Sequence, residues 1–183
     1  DCIRTGLAKA HRGTFNLTRS DDLVAHCINA LLERNPAIDP GEIEDVILGC
    51  GRQVGEQSAN VARHAVALSK LPITVPATTI SRACSSGLNS IAFAATQIAS
   101  GCAEMILAGG VESITGLDRG SPGEHSENPI LMEQKPDIFM AMGNTAEVVA
   151  RRYQVSREAQ DLYALQSQQR YAAAEEKGFI QDE

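Results

Sequence analysis

The sequence predicts an α/β domain in which a mixed sheet is covered by helices. Short apolar or β-branched runs alternate along the chain with segments whose apolar residues recur at helical spacing. The 183 residues are 43% hydrophobic and 21% charged, which is typical of a packed globular chain. The five cysteines include no Cys-x-x-Cys pair, which argues against a disulfide framework or a zinc knuckle. A hydrophobic core must therefore hold the fold.

The first predicted helix begins at Ser20, a favourable capping residue, and two aspartates follow it near the positive end of the helix dipole. Its apolar face is formed by Leu23, Cys27, Ala30 and Leu31. A short acidic helical turn is predicted after Pro40. The apolar run at residues 46–48, ended by Gly49, then predicts a buried strand.

A second helix is predicted over residues 57–71, where Pro72 stops it, and a strand follows at residues 78–80. The next helix extends from Cys84 to Gly101, with an apolar face of Leu88, Ile91, Ala92, Ala95, Ile98 and Ala99. Its other positions carry almost no charge, so we expect it to be buried all round. Residues 105–108 predict another buried strand.

The remainder of the chain differs in composition. Residues 116–141 are rich in Gly, Pro, Ser, Asn and charge, which indicates an excursion from the α/β core, on the surface near a ligand. Thr145 is expected to cap a helix to about Tyr153, and Ser156 a longer polar helix to Gly178. The predicted division is therefore a core at residues 1–115 and a second segment at residues 116–183.

The charge balance excludes one class of partner. The chain carries 16 basic and 23 acidic residues, for a net charge of −7, and it has no Trp. Nucleic-acid binding is not expected, because it requires a basic surface or aromatic stacking platforms.

No apolar stretch is long enough to predict a membrane span. The odd number of cysteines favours a reducing, cytoplasmic compartment. Mitochondrial and peroxisomal locations stay open, because a targeting segment could precede Asp1.

Cys84 is the candidate nucleophile. It follows a predicted strand and lies where the next helix begins, and the unpaired N–H groups and dipole of a helix N-terminus stabilise a thiolate. The same N–H groups can hold a developing oxyanion. The alternative is that Cys84 is a small buried packing residue, which is common for free cysteines.

The remaining candidate groups favour structural roles. The other four cysteines, Cys2, Cys27, Cys50 and Cys102, are interpreted as packing residues. The four histidines lack the spacing of metal ligands, so no metal site is expected. The glycine pairs near residues 49–51 and 109–110 do not form a dinucleotide-binding fingerprint, because the G-x-G-x-x-G spacing is missing.

Seven sequence blocks resemble the thiolase family, in family order and over essentially the whole chain. The most specific is ISRACSSGLNSI at residues 80–91, which is similar to the family's nucleophile signature. The others are RTG at 4–6, QSANVAR at 57–63, GGVES at 109–113, MGNTAE at 142–147, SREAQD at 156–161 and ALQSQ at 164–168. The family usually has Arg-Thr-Pro where this chain has Gly6.

The resemblance implies that Cys84 takes an acyl group from an acyl-CoA thioester. The acyl-enzyme then meets CoA, or condenses with a second acetyl-CoA. Met142 matches the methionine that lies against the bound acyl group, although it could equally be a flexible core residue. CoA and acyl-CoA are substrates, so no further cofactor is expected. The expected assembly is a homodimer or homotetramer.

Three family motifs are missing from these residues: the Gly-His-Pro histidine, the second cysteine in Cys-x-Gly and the asparagine of the other oxyanion hole. The chain is therefore expected to be the N-terminal half with its loop domain, active only with a C-terminal half. Ala141 replaces a histidine found in some relatives, which bears on acyl-chain preference. The alternatives are a ketoacyl-synthase-like condensing enzyme and a non-catalytic scaffold that binds CoA or lipid.

Overall fold

The computed structural model describes residues 1–117 and 128–181. The chain forms two units, residues 1–123 and residues 124–183. The domain boundary predicted after residue 115 stays a prediction. Within the described ranges, no helix is both long enough and apolar enough to cross a membrane.

The first unit is built on a three-stranded sheet. Strands β1 (Asp45–Gly49), β2 (Ala77–Ile80) and β3 (Ile106–Gly110) lie in the order β2-β1-β3. Val46 pairs with both Ala77 and Leu107, and both pairings are parallel. The α/β class is confirmed. The mixed sheet that we expected differs from the sheet in the described residues, where all three strands are parallel.

Parallel strands require helical crossovers, and two helices supply them. Helix α2 (Val61–Leu68) connects β1 to β2, and helix α3 (Ser86–Ala99) connects β2 to β3. The predicted second helix was too long at both ends. Ala59 has a left-handed φ of 59°, which interrupts the helical path, and the Asn60 side chain caps α2 by accepting from the Arg63 N–H. Residues 55–57 form a separate 3₁₀ turn.

Helix α1 (Ser20–Arg34) begins where the sequence predicts, but it buries another face. Its buried apolar residues are Val24, Ala25 and Ile28. The predicted apolar face is only half-buried, and Leu23, Cys27 and Leu31 line a cavity of about 240 Å³ beside the N-terminal segment. Ser20 is not the capping residue. Arg19 holds that position, and the guanidinium of Arg19 donates to both Asp21 oxygens at 2.9 and 2.8 Å.

The apolar core of the first unit lies where α1 and α2 pack against the sheet. Its fully or nearly fully buried residues are Val24, Ile28, Ile43, Val46, Leu48, Ala62, Ala65, Val66, Leu71 and Val75. Burial of these side chains is the main favourable contribution to the free energy of folding of the unit.

Helix α3 buries only the side that faces the sheet. The residues that it buries are small: Ser86, Ser90 and Ala94. Its apolar face, which we expect to need cover from outside residues 1–183, is exposed, with Leu88 73% and Ile91 51% accessible. The physical reason is the close approach of α3 to the sheet, which leaves room only for small side chains.

The second unit is helical in its described residues. Helix α4 (Ile114–Leu117) ends the described part of the first unit, and α5 (Pro129–Gln134), α6 (Met142–Arg152) and α7 (Arg157–Glu176) follow. Residues 118–127 of the predicted excursion lie outside the described residues. Thr145 is inside α6, whose N-cap is Ala141, four residues before the predicted cap. Ser156 caps α7 as expected, with its Oγ accepting from the Ala159 N–H at 3.2 Å.

Candidate active site

Cys84 lies on a tight turn between the end of β2 and the start of α3. The helix begins two residues after it, and the Cys84 side chain is exposed. The Ser86 hydroxyl closes the turn, since its Oγ accepts from the Arg82 N–H at 2.8 Å and donates to the Ala83 carbonyl at 2.6 Å. The turn therefore presents the thiol outward at the N-terminus of a 14-residue helix.

The residue before the thiol is strained. Ala83 has a φ of 47°, in the left-handed region that costs a residue with a Cβ about 1–2 kcal/mol. Such outliers persist only where the surrounding structure enforces them, and they cluster at functional sites. This conformation supports the interpretation of Cys84 as a functional residue over the packing alternative, because a packing residue has no need of it.

Glycines allow the first turn of α3 to lie directly on the sheet. A Cβ at Gly49 would collide with the backbone of Ser86 and Gly87, and a Cβ at Gly110 would lie 3.1 Å from the Gly87 Cα. The buried Ser90 hydroxyl adds a hydrogen bond across this contact, 2.5 Å from the Gly109 carbonyl oxygen. These glycines were expected only to end strands, so their role in helix packing was missed.

A cavity of about 560 Å³ opens beside Cys84. Residues that follow all three strands line it: Gly51 and Arg52 after β1, Cys84 after β2, and Val111 and Glu112 after β3. In parallel α/β sheets, ligands bind beyond the carboxyl ends of the strands, which is the position of this cavity. The nucleophile and a ligand-sized space therefore coincide within the first unit.

A hydrogen-bonded network lies beside the cavity, which its members Gly51, Arg52 and Glu112 line. The Glu112 carboxylate accepts from the Gly51 N–H at 2.7 Å and from the Gln57 side-chain amide at 3.0 Å. Gln57 is fully buried, and its amide also donates to the Arg52 carbonyl at 2.9 Å and accepts from the Ser113 N–H. Sequence analysis assigned no role to Glu112 or Gln57. Their presence in two of the matching blocks was the available signal.

The other cysteines differ from Cys84 in their surroundings. Cys50 is fully buried, and burial, together with the nearby Glu112 carboxylate, raises its pKa to about 11. Burial also raises the pKa of Cys27. Both agree with packing roles. Cys102 does not, because it is exposed just after the left-handed Gly101 that ends α3.

Met142, the predicted acyl-binding residue, lies in the second unit. It is the first residue of α6, and its side chain is 69% exposed. Its role in binding substrate stays a prediction. Over residues 1–117 and 128–181, no three His, Cys, Asp or Glu side chains come together in a group that could hold a metal ion.

Comparison with known proteins gives a consistent result. The model of the thiolase N-terminal domain matches residues 1–183. A 3-ketoacyl-CoA thiolase of Bacillus subtilis is 43% identical over 98% of this chain and 46% of its own length. A β-ketoadipyl-CoA thiolase of Pseudomonas aeruginosa is 40% identical over 100% of this chain and 49% of its own.

A solved structure agrees with these relatives. The crystal structure of the Bacillus anthracis acetyl-CoA acetyltransferase has a TM-score of 0.82 and 31% identity, over 99% of this chain and 48% of that one. The chain thus spans about half the length of the curated relatives it matches. From the family match over its full length, the chain belongs to the thiolase family, within that family's N-terminal domain.

Proposed function

We propose that the protein containing this chain transfers acyl groups between CoA thioesters, with Cys84 as the nucleophile. The reaction is thiolytic cleavage of a 3-ketoacyl-CoA, or in reverse the Claisen condensation of acetyl-CoA. The observation that carries the proposal is the exposed Cys84 on a strained turn at a helix N-terminus, beside a cavity of about 560 Å³. The names of the thiolase relatives support the substrate class.

In cleavage, the Cys84 sulfur attacks the 3-keto carbon of the substrate. The carbonyl oxygen gains negative charge, which the N–H groups at the start of α3 stabilise. The bond between carbons 2 and 3 then breaks, its electron pair passes to carbon 2, and a proton there completes acetyl-CoA. The acyl group remains on Cys84 until the thiol of free CoA attacks it, which releases a shortened acyl-CoA and restores the cysteine.

The proton transfers require further groups. The hydroxyls of Ser85 and Ser86, which follow Cys84, donate to backbone carbonyls of the turn, and neither is placed to act as its base. We infer that the histidine and second cysteine that the family resemblance implies come from sequence outside residues 1–183. Met142 is proposed to lie against the acyl group, and CoA and acyl-CoA are the only small molecules that the reaction needs.

The exposed apolar face of α3 supports a larger assembly. Large contiguous apolar surfaces on soluble chains usually mark interfaces, and the apolar face of α3 exposes Leu88, Ile91 and Ile98. We propose that the remainder of the protein covers this face, within a homodimer or homotetramer.

Trapping the acyl-enzyme tests the function. The protein is incubated with acetyl-CoA without a second substrate, digested at acidic pH, and its peptides are weighed by mass spectrometry. We expect one acetyl group on the peptide that contains Cys84, and none in Cys84→Ala. Cys102→Ala is the matched control, because Cys102 is also exposed in the first unit. Absence of any acetylated peptide would favour the non-catalytic scaffold, and acetylation of another cysteine would contradict the choice of nucleophile.

A further inference from the structure

The side chain at position 112 accepts from two N–H donors at once, and the Cys50 thiol adds a weaker third bond, with its sulfur 4.0 Å from Oε1. The Gly51 N–H points at Oε2 and the Gln57 amide N–H at Oε1, and both are donors. Gln57 cannot rotate its amide to offer oxygen to position 112. Its oxygen already accepts from the Ser113 N–H, and its nitrogen donates to the Arg52 carbonyl. A carboxylate satisfies both donors, whereas an amide satisfies only one.

The network reaches the nucleophile through Gly51. A Cβ at this position would lie 2.8 Å from the Glu112 Oε2 and 3.1 Å from the Ala83 carbonyl oxygen, so the Gly51 backbone fits between them. The Ser81 hydroxyl also donates to the Gly51 carbonyl at 3.3 Å. Residues 81 and 83 belong to the turn that presents Cys84. Glu112 therefore contacts this turn through one intervening residue.

The turn is also where support is needed. Ala83 holds a φ of 47°, and a strained conformation relaxes unless neighbouring groups restrain it. The Ala83 carbonyl is held from two sides: the Ser86 N–H and hydroxyl donate to it at 3.1 and 2.6 Å, and Gly51 lies against it. A shift of the loop after β1 would remove the restraint on the Gly51 side and leave only the bonds from Ser86, so the direction of the Cys84 side chain would be less well fixed.

We propose that Glu112 is a positioning residue, which fixes Gly51 against Ala83 and thereby holds the Cys84 turn in its reactive conformation. This inference rests on the proposed function, since it assigns Glu112 a part in the reaction of Cys84. Glu112 acts through Gly51 and need not touch the substrate. Its effect falls on the chemical step, because small misplacements of a nucleophile lower the rate of attack more than they weaken binding.

A double-mutant cycle between positions 112 and 83 tests the proposal. Glu112→Gln removes one acceptor, and Ala83→Gly removes the strain, because glycine adopts a φ of 47° without cost. We expect Glu112→Gln to lower kcat for thiolysis of acetoacetyl-CoA about tenfold, with KM changed by less than about twofold. In the Ala83→Gly background, the same substitution should lower kcat by less than about threefold. Glu42→Gln, an exposed acid-to-amide change in the same unit, is the control and should leave kcat unchanged.

Equal losses of kcat in both backgrounds would overturn the proposal, as would an unchanged kcat. The rate of iodoacetamide labelling at Cys84, relative to Cys102, supplies a readout that does not depend on turnover. If the unsubstituted protein lacks thiolysis, the proposed function fails. The positioning role is still supported if Glu112→Gln alters the ratio of Cys84 to Cys102 labelling when position 83 is alanine but not when it is glycine. A ratio that Glu112→Gln leaves unaltered overturns the positioning role. If Glu112→Gln does not fold, Glu112→Asp, which keeps both acceptors on a shorter side chain, carries the same comparison.

Discussion

Gly49, at the end of β1, lies against the backbone of Gly87 in the first turn of α3, with no space for a side chain between them. This contact sets the distance between the sheet and the helix that follows Cys84. Gly110 makes a similar contact from β3. The position of the nucleophile therefore depends on the absence of a side chain at Gly49 and Gly110.

Gly49→Ala should lower the free energy of unfolding by about 1–3 kcal/mol, because the new methyl group must displace the backbone of α3. Urea unfolding followed by circular dichroism measures this. Gly6→Ala is the matched control in the same unit, since a Cβ at Gly6 meets no atom within 4 Å. Equal stability of the two variants would show that α3 can move away from the sheet at little cost.

Cys84 should be alkylated first among the five cysteines and Cys50 last. Cys84 is exposed at a helix N-terminus, whereas Cys50 is fully buried and its pKa is about 11, so it remains a thiol at neutral pH. Brief iodoacetamide treatment followed by peptide mapping gives the order, and acyl-CoA should protect Cys84. Faster labelling of exposed Cys102 than of Cys84 would mean that exposure alone governs reactivity.

The 183-residue chain should bind a hydrophobic dye through the outer face of α3. Replacing Leu88 and Ile91 together by glutamine should lower the dye fluorescence and change the free energy of unfolding by less than about 0.5 kcal/mol. The control is the same pair of changes at Leu68 and Ile73, which are 52% and 62% exposed elsewhere in the unit. Equal fluorescence losses in the two double variants would argue against α3 as the binding face.

The ion pair of Arg19 and Asp21 should make the free energy of unfolding depend on pH in the acidic range. Burial opposes ionisation, but the hydrogen bonds and charge of Arg19 outweigh it and lower the pKa of Asp21. A lowered folded-state pKa adds stability above the ordinary aspartate pKa of about 3.9, and this stability is lost as the pH falls through the lowered value. Asp21→Asn should therefore lower the free energy of unfolding by about 1 kcal/mol at neutral pH and by less near pH 2.

Asp22→Asn is the control for this prediction. Asp22 lies in the same helical turn but is exposed, so its substitution tests the helix dipole without the ion pair to Arg19. A difference between Asp21→Asn and the unsubstituted chain that does not vary with pH would contradict the assignment to Asp21.

Local signals in the sequence predicted the order of the elements well. Gly101 has the left-handed φ expected after a helix, and Ser156 caps α7. Both depend on residues within one turn of the helix end, so the sequence alone contains the needed information. The place of Cys84 between a strand and a helix was predictable for the same reason.

The faces of the helices were not predictable in this way. Hydrophobic spacing identifies the apolar side of α3, but it does not tell which neighbour covers that side. The side of α3 that carries Ser86, Ser90 and Ala94 faces the sheet, because the strand ends at Gly49 and Gly110 approach the helix so closely that only small side chains fit. The Glu112 network was also not predictable, because it too depends on how distant parts of the chain pack together. Its bonds to Gly51 and Gln57 join residues 61 and 55 positions apart, and only the folded chain shows them.

The strand order β2-β1-β3 has a consequence for synthesis on the ribosome. Strand β1 is central but is translated before β2 and β3. Its apolar residues Val46, Ile47 and Leu48 therefore stay unpaired until both of these strands have been synthesised. During that interval the nascent segment is a site for association between unfinished chains. Three acidic residues at the start of the strand oppose this by charge repulsion, as gatekeeper residues do: Glu42 and Glu44 precede the strand, and Asp45 is its first residue.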